Sequence, residues 1–360
     1  MSRAALWKKW VFYIAMGAIT LVTTLVLSEL LMRVSGRVTV KSVHTASEKD
    51  FDRIPGTFDP GQNLIETPHP KLIHHVSINA LGFRGPEISR KPKSGTVRIL
   101  CLGDSGTYGH YVNDDETFPF YLQERFTQEN LPVEVINAGV PDTTIIDQLY
   151  YLKRSIEIEP DIVILTFSEN DITDLDKDMP TYLSLQNNRK LKSSGIIGLI
   201  YGAARDTALF NFALLLKAKV SAAQIAGRRI RETEARPNDV DRFELLWKQY
   251  EDYLREMKQY LEQRGVRFVF NVFPSHHRIG KDSIIDGRLA EQLDRVEMLA
   301  GKMGVQTINI LQPLQKSGLS KNELTFLPYD GHASRKAYFI QANTVFAFLR
   351  EDVLSMLSSP

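Results

Sequence analysis

The sequence predicts the α/β class: a three-layer α/β/α sandwich around a five-stranded parallel sheet, preceded by a transmembrane helix. Three observations carry this. Short apolar, β-branched runs recur at 97–102 (VRILCL), 133–138 (VEVINA), 161–167 (DIVILTF), 266–273 (VRFVFNVF) and 305–310 (VQTINI). Between them lie segments with helical spacing of apolar residues, among them 118–126, 145–156 and 245–263. Strands alternating with helices imply βαβ crossovers, and continuous apolar strands imply burial on both faces. Finally, residues 10–27, WVFYIAMGAITLVTTLVL, carry no charge at all.

Taken from the N-terminus, residues 1–9 form a short basic lead with Arg3, Lys8 and Lys9. The segment 10–31 is long enough, at 1.5 Å per residue, to cross a hydrocarbon core of about 30 Å. Basic residues before the span favour an N-terminus in the cytoplasm and a body outside it, periplasmic or extracellular, although Arg33, Arg37 and Lys41 on the far side weigh against this charge argument. A cleaved signal peptide is the competing reading, but no A-x-A-like site follows. Residues 32–74 are polar and Pro/Gly-spotted, which reads as a juxtamembrane linker before a domain at 75–355. Within that domain, 172–240 holds no strand signal. Its apolar part, 194–220, reads as an amphipathic helix packed on the domain, as a lid, or as a membrane-facing helix.

Composition excludes several classes of function. The chain has 360 residues, 44 basic and 43 acidic side chains, and a net charge of +1, so nothing draws it to nucleic acid. Its single cysteine, Cys101, rules out an internal disulfide framework and a cysteine zinc site, and it reads as a small buried hydrophobe. The adjacent histidine pairs 74–75 and 276–277 read as solvated loop residues rather than metal ligands.

In an open parallel sheet, ligands bind beyond the carboxyl ends of the strands. The residues just after each apolar run are therefore the informative ones: Ser105, Gly139, Asn170, Ser275 and, past the last run, Asp330 and His332. Ser105 sits in CLGDSGTYGHYV. No Lys follows in the phosphate-loop spacing, and Gly103, Gly106 and Gly109 do not make a dinucleotide fingerprint. A helix cap remains open for Ser105 taken alone. A nucleophile needs a base and an orienting acid, which His332 and Asp330 offer. The backbone amides of Ser105 and Gly139 and the side-chain amide of Asn170 offer donors for an oxyanion. Asp104 and Asp171 read as turn-fixing carboxylates.

Four blocks in order, GDSGTYG at 103–109, NAGVPDTT at 137–144, SEND at 168–171 and DGH at 330–332, resemble the SGNH (GDSL-type) hydrolases. The resemblance spans about 75–350 and extends to INALGFRGPE at 78–87, which is similar to the entry segment of membrane-anchored members. It implies a flavodoxin-like sheet, Ser105 as nucleophile, His332 as base, Asp330 as its partner, and an oxyanion hole of Ser105, Gly139 and Asn170. It implies no metal and no cofactor. Tyr108 and His110, close to the nucleophile, are candidate pocket residues. The chain departs from the pattern at Ser168, where the block usually opens with Gly, and in having one residue rather than two between Asp330 and His332.

The expected function is a membrane-anchored serine esterase acting on an O-acylated envelope glycan, lipid or small ester. An O-acyltransferase on the same site, or a non-catalytic polysaccharide-binding module, are the alternatives.

Overall fold

The computed structural model describes residues 3–34, 43–69, 72–168, 170–176, 180–205, 207–213, 216, 239–276, 278–279 and 287–358. The chain opens with a helix, Arg3–Val34, whose segment Trp7–Val34 reaches a mean hydropathy of 2.0 over an apolar stretch of which no residue is buried. A hairpin of β1 (Asn63–His69) and β2 (Leu72–Ser77) comes next. The main sheet is built from β3 (Val97–Gly103), β4 (Val133–Gly139), β5 (Ile162–Ser168), β6 (Arg267–Phe273) and β7 (Gln306–Asn309).

All pairings in this sheet are parallel, and the strand order is β4-β3-β5-β6-β7. That is the flavodoxin-like 2-1-3-4-5 arrangement, which reverses direction between β3 and β5 and opens a crevice at their carboxyl ends. Alternate residues of each strand enter separate cores. Leu100, Leu102, Val163, Leu165 and Phe270 pack under the helices Ile145–Ser155, Asp239–Glu262 and Gly287–Lys302. Ile99, Cys101, Ile162, Ile164 and Val269 pack under Phe118–Gln128 and Arg335–Ser358. Burial on both faces is why the strands lack a polar alternation.

The segment expected to be a linker is folded from residue 43 onward. Ala46, Phe51, Phe58, Val76 and Ile78 form a third core with Tyr108, Val140 and Tyr151 of the sheet domain. His74, expected to be solvated, is instead buried on β2 with its Nε2 3.0 Å from Glu66 Oε2. Arg84, only 2% exposed, is the pin between the two parts. Its guanidinium donates to Asp114 Oδ1 and to the carbonyls of Tyr108, Gly109, His75 and Val112 at 2.7–3.2 Å, which uses all five N–H groups. The linker expectation failed because these few apolar residues are spread thinly along the sequence and complete a core only together with Tyr108, Val140 and Tyr151.

No strand occurs among the described residues of 172–240. They form Thr181–Ser193, Gly195–Ala204 and a further helical stretch from Ala208. The helix expected across 194–220 breaks at Arg205, and residues 217–220 lie outside the described residues.

Candidate active site

Strand β3 ends at Gly103, and the chain turns at once into the short helix Ser105–Tyr108. Asp104 caps that helix: its Oδ1 accepts from the Gly106 amide at 2.9 Å, as expected of a turn-fixing carboxylate. Gly109 ends the helix in the left-handed region (φ 88°), which a Cβ would disfavour. Ser105 is thus displayed at the first step of the crevice. From the other end of the chain, the loop before helix Arg335–Ser358 brings in Asp330 and His332. His332 Nε2 lies 2.8 Å from Ser105 Oγ across 227 residues of sequence.

One oxygen of Asp330 holds His332 twice. Oδ1 accepts from the His332 backbone amide at 2.8 Å and lies 2.5 Å from Nδ1. The one-residue spacing makes this possible, because the acid reaches over its own turn. Burial pulls the Asp330 carboxyl upward, but its hydrogen bonds with His332 and the charge of the imidazole outweigh this and hold it at about 2. Burial works in the opposite sense on His332, against the imidazolium. There the bond to Asp330 and the charges of Asp330, Asp104 and Asp142 prevail, and its pKa is raised.

Asn170 stands at the start of the helix after β5, exposed at the crevice, where its side-chain amide donates to Asp104 Oδ2 at 3.3 Å and Asp174 Oδ2 at 3.0 Å. Asp171 Oδ2 accepts from the Ser168 amide at 3.1 Å, fixing that turn. Gly139 is placed differently from expectation. Its amide donates to Asn137 Oδ1 at 3.0 Å, and a Cβ there would sit 2.1 Å from the Tyr108 amide nitrogen and 2.6 Å from the Thr107 carbonyl carbon. Gly139 therefore lets the end of β4 pass against the Ser105 turn, and its amide already has a partner. The crevice wall on that side is Pro141 and Asp142, the latter in the left-handed region at φ 63°.

Tyr108 also departs from expectation. It is buried, with its ring against Phe58 and under the Arg84 guanidinium, and does not line the crevice. His110 does line it, its ring 5.0 Å from that of His332. Burial, then the neighbouring His332 charge, lower His110 to about 3, so it faces His332 as a neutral ring. Tyr111 was missed by sequence reasoning. It adopts φ 67°, its ring stands edge-on to His332 at 5.3 Å, and burial, then the nearby Asp330 charge, raise the pKa of its hydroxyl. Nothing in the sequence marks a tyrosine as left-handed. The crevice encloses about 930 Å³, and its wall includes Asp142, Asp174, Asp176, His276 and Gln292 besides the residues above.

A family model, the GDSL-like lipase/acylhydrolase family, matches residues 101–338. No curated protein matches the chain. Among solved structures, a lipase/acylhydrolase from Enterococcus faecalis is 14% identical, with a TM-score of 0.42 over 71% of this chain and 96% of that one. An acetylxylan esterase from Geobacillus stearothermophilus is likewise 14% identical, with a TM-score of 0.41 over 73% of this chain and 95% of that one.

Proposed function

The chain belongs to the GDSL-like lipase/acylhydrolase family and is an ester-bond hydrolase, and on that premise we propose that it is a membrane-anchored serine esterase removing acyl groups from an O-acylated envelope glycan. The observation that carries the reading is the 2.8 Å contact between Ser105 Oγ and His332 Nε2 at the strand-order reversal.

In this reading His332 takes the Ser105 proton as Oγ attacks the ester carbonyl. The tetrahedral oxyanion is held by the Asn170 side-chain amide and the backbone amides of Ser105 and Asp142, the last in place of Gly139. Asn170 keeps its bond to Asp104, which orients it, and exchanges its bond to Asp174 for the oxyanion. As the intermediate collapses and the ester C–O bond breaks, the imidazolium protonates the leaving sugar oxygen, which departs as a hydroxyl, and water, activated by the same imidazole, releases the acyl group as free acid. Asp330 holds His332 in the tautomer with a proton on Nδ1.

Beyond Ser105, His332 and Asp330, the polar side chains Asp142, Asp174, Asp176, His276 and Gln292 on the wall support a polyhydroxyl substrate over an aliphatic chain. The uncharged span 10–27, with Arg3, Lys8 and Lys9 before it, supports an anchor with the body outside the cytoplasm.

Full-length protein in detergent, given p-nitrophenyl acetate, tests the reading. Ser105→Ala is expected to lower turnover by at least about 10³-fold with unchanged far-UV circular dichroism. Undiminished turnover rejects Ser105. Preference for palmitoyl over acetyl esters rejects the glycan assignment, and acyl transfer without free acid in water rejects hydrolysis as its role.

A further inference from the structure

The helix Gly195–Ala204 (GIIGLIYGAA) has no charged residue and is not part of the crevice wall. Its two sides differ. Tyr201 meets His44 Nδ1 at 3.4 Å, and Arg205, just past the helix, pairs with Asp59 at 3.2 Å, so one side is fastened to the folded N-terminal segment. Ile196, Leu199 and Ile200, spaced to share the other side, are 75%, 76% and 62% exposed. A branched aliphatic face this exposed is costly in water.

A second observation says what covers it. Glu29 lies two residues past the uncharged run 10–27 of the first helix. Eighteen residues rise about 27 Å, close to the thickness of a hydrocarbon core, so Glu29 emerges at the membrane surface. There its two carboxylate oxygens accept from the backbone amides of Ala208 and Leu209, both at 2.9 Å. The turn after Gly195–Ala204 is therefore tied to the level at which the first helix leaves the bilayer.

We propose that Gly195–Ala204 is an in-plane membrane helix, with Ile196, Leu199 and Ile200 in the lipid of the leaflet from which the first helix emerges. The proposal rests on the reading of 10–31 as a membrane anchor. The folded body is then held to the bilayer at two places, one spanning and one lying on the surface. A single tether would let the crevice swing; two fix the direction in which it opens.

The test uses full-length protein in phosphatidylcholine vesicles, labelled with bimane at Leu199→Cys or, separately, Ile19→Cys. Native Cys101 is fully buried in β3 and takes no label. Both labels are expected to lose most of their emission to doxyl-labelled lipid and little to aqueous iodide. Iodide quenching at 199 with lipid quenching at 19 overturns the surface helix and leaves the anchor standing. Protection from both quenchers at 199 also overturns it, because protein then covers the face, as a second copy or a lid would. Failure of lipid quenching at 19 overturns the anchor instead, whatever position 199 shows.

Discussion

Replacing Asp330 with Asn removes a charge while keeping an oxygen, and the double contact of Asp330 Oδ1 sets the outcome. A backbone amide can only donate, so the His332 N–H, now 2.8 Å from Oδ1, selects the oxygen of the introduced amide and turns its NH2 away. That oxygen still accepts from Nδ1, so the imidazole keeps its tautomer. What is lost is the carboxylate charge. Asp330 is held at about 2 against an ordinary 3.8, a preference of about 2 kcal/mol for the paired state once solvent screening is allowed for. Asp330→Asn should therefore lower kcat/KM about 30- to 100-fold, well short of the roughly 10⁴-fold that accompanies a flipped tautomer. The sign of the pH effect comes from the same contact. The pair raises the His332 pKa, and the base works only when neutral, so activity rises with pH through that raised value. Removing the charge lowers it, and the acid limb of kcat/KM moves to lower pH. A pH–rate profile on acetyl ester measures both. A loss near 10⁴-fold with an unmoved acid limb would refute this account of Asp330.

Three further outcomes rest on the geometry. Gly139→Ala should lower the melting temperature and the turnover together, since a Cβ at 2.1 Å from the Tyr108 amide must push the Ser105 turn; misplacement by about 1 Å costs roughly 10²-fold in rate. Thermal melts and kcat check it, and an unchanged melt would sink the packing role. Arg84→Lys offers three donors where five are used, leaving two buried acceptors unmet, a cost of about 2–6 kcal/mol in denaturant unfolding. Asp142→Asn tolerates the left-handed backbone but drops a charge that raises His332, so the acid limb should move downward by less than in Asp330→Asn.

The five strands were legible because a strand buried on both faces writes itself as an apolar run, and the crevice lay at their carboxyl ends. Ser105, His332 and Asp330 were legible as types and positions, and the structure brings them into contact. Gly139 shows the limit of such reading: its value to the fold is the missing Cβ against Tyr108, which looks the same in sequence as an amide turned toward substrate. Tyr108 and Tyr111 differ only by three places along the chain. One enters the core under Arg84 and the other stands against His332, because the intervening Gly109 and the left-handed Tyr111 reverse the chain. Residues 43–77 were illegible for a different reason. Their apolar side chains are few, the alternation of Leu72–Ser77 is masked by the two histidines, and the core they enter is completed by other segments.

The separation of 227 positions between Ser105 and His332 has a consequence for biosynthesis. His332 is held beside the Thr325–Ala333 bridge and just ahead of Arg335–Ser358, the helix that completes one face of the sheet. Ser105 is synthesised early, yet His332 reaches it only when that last helix packs into the core it shares with β3 and Phe118–Gln128. On the proposed mechanism, esterase activity then requires that this final layer has closed, since Ser105 has no base before it does.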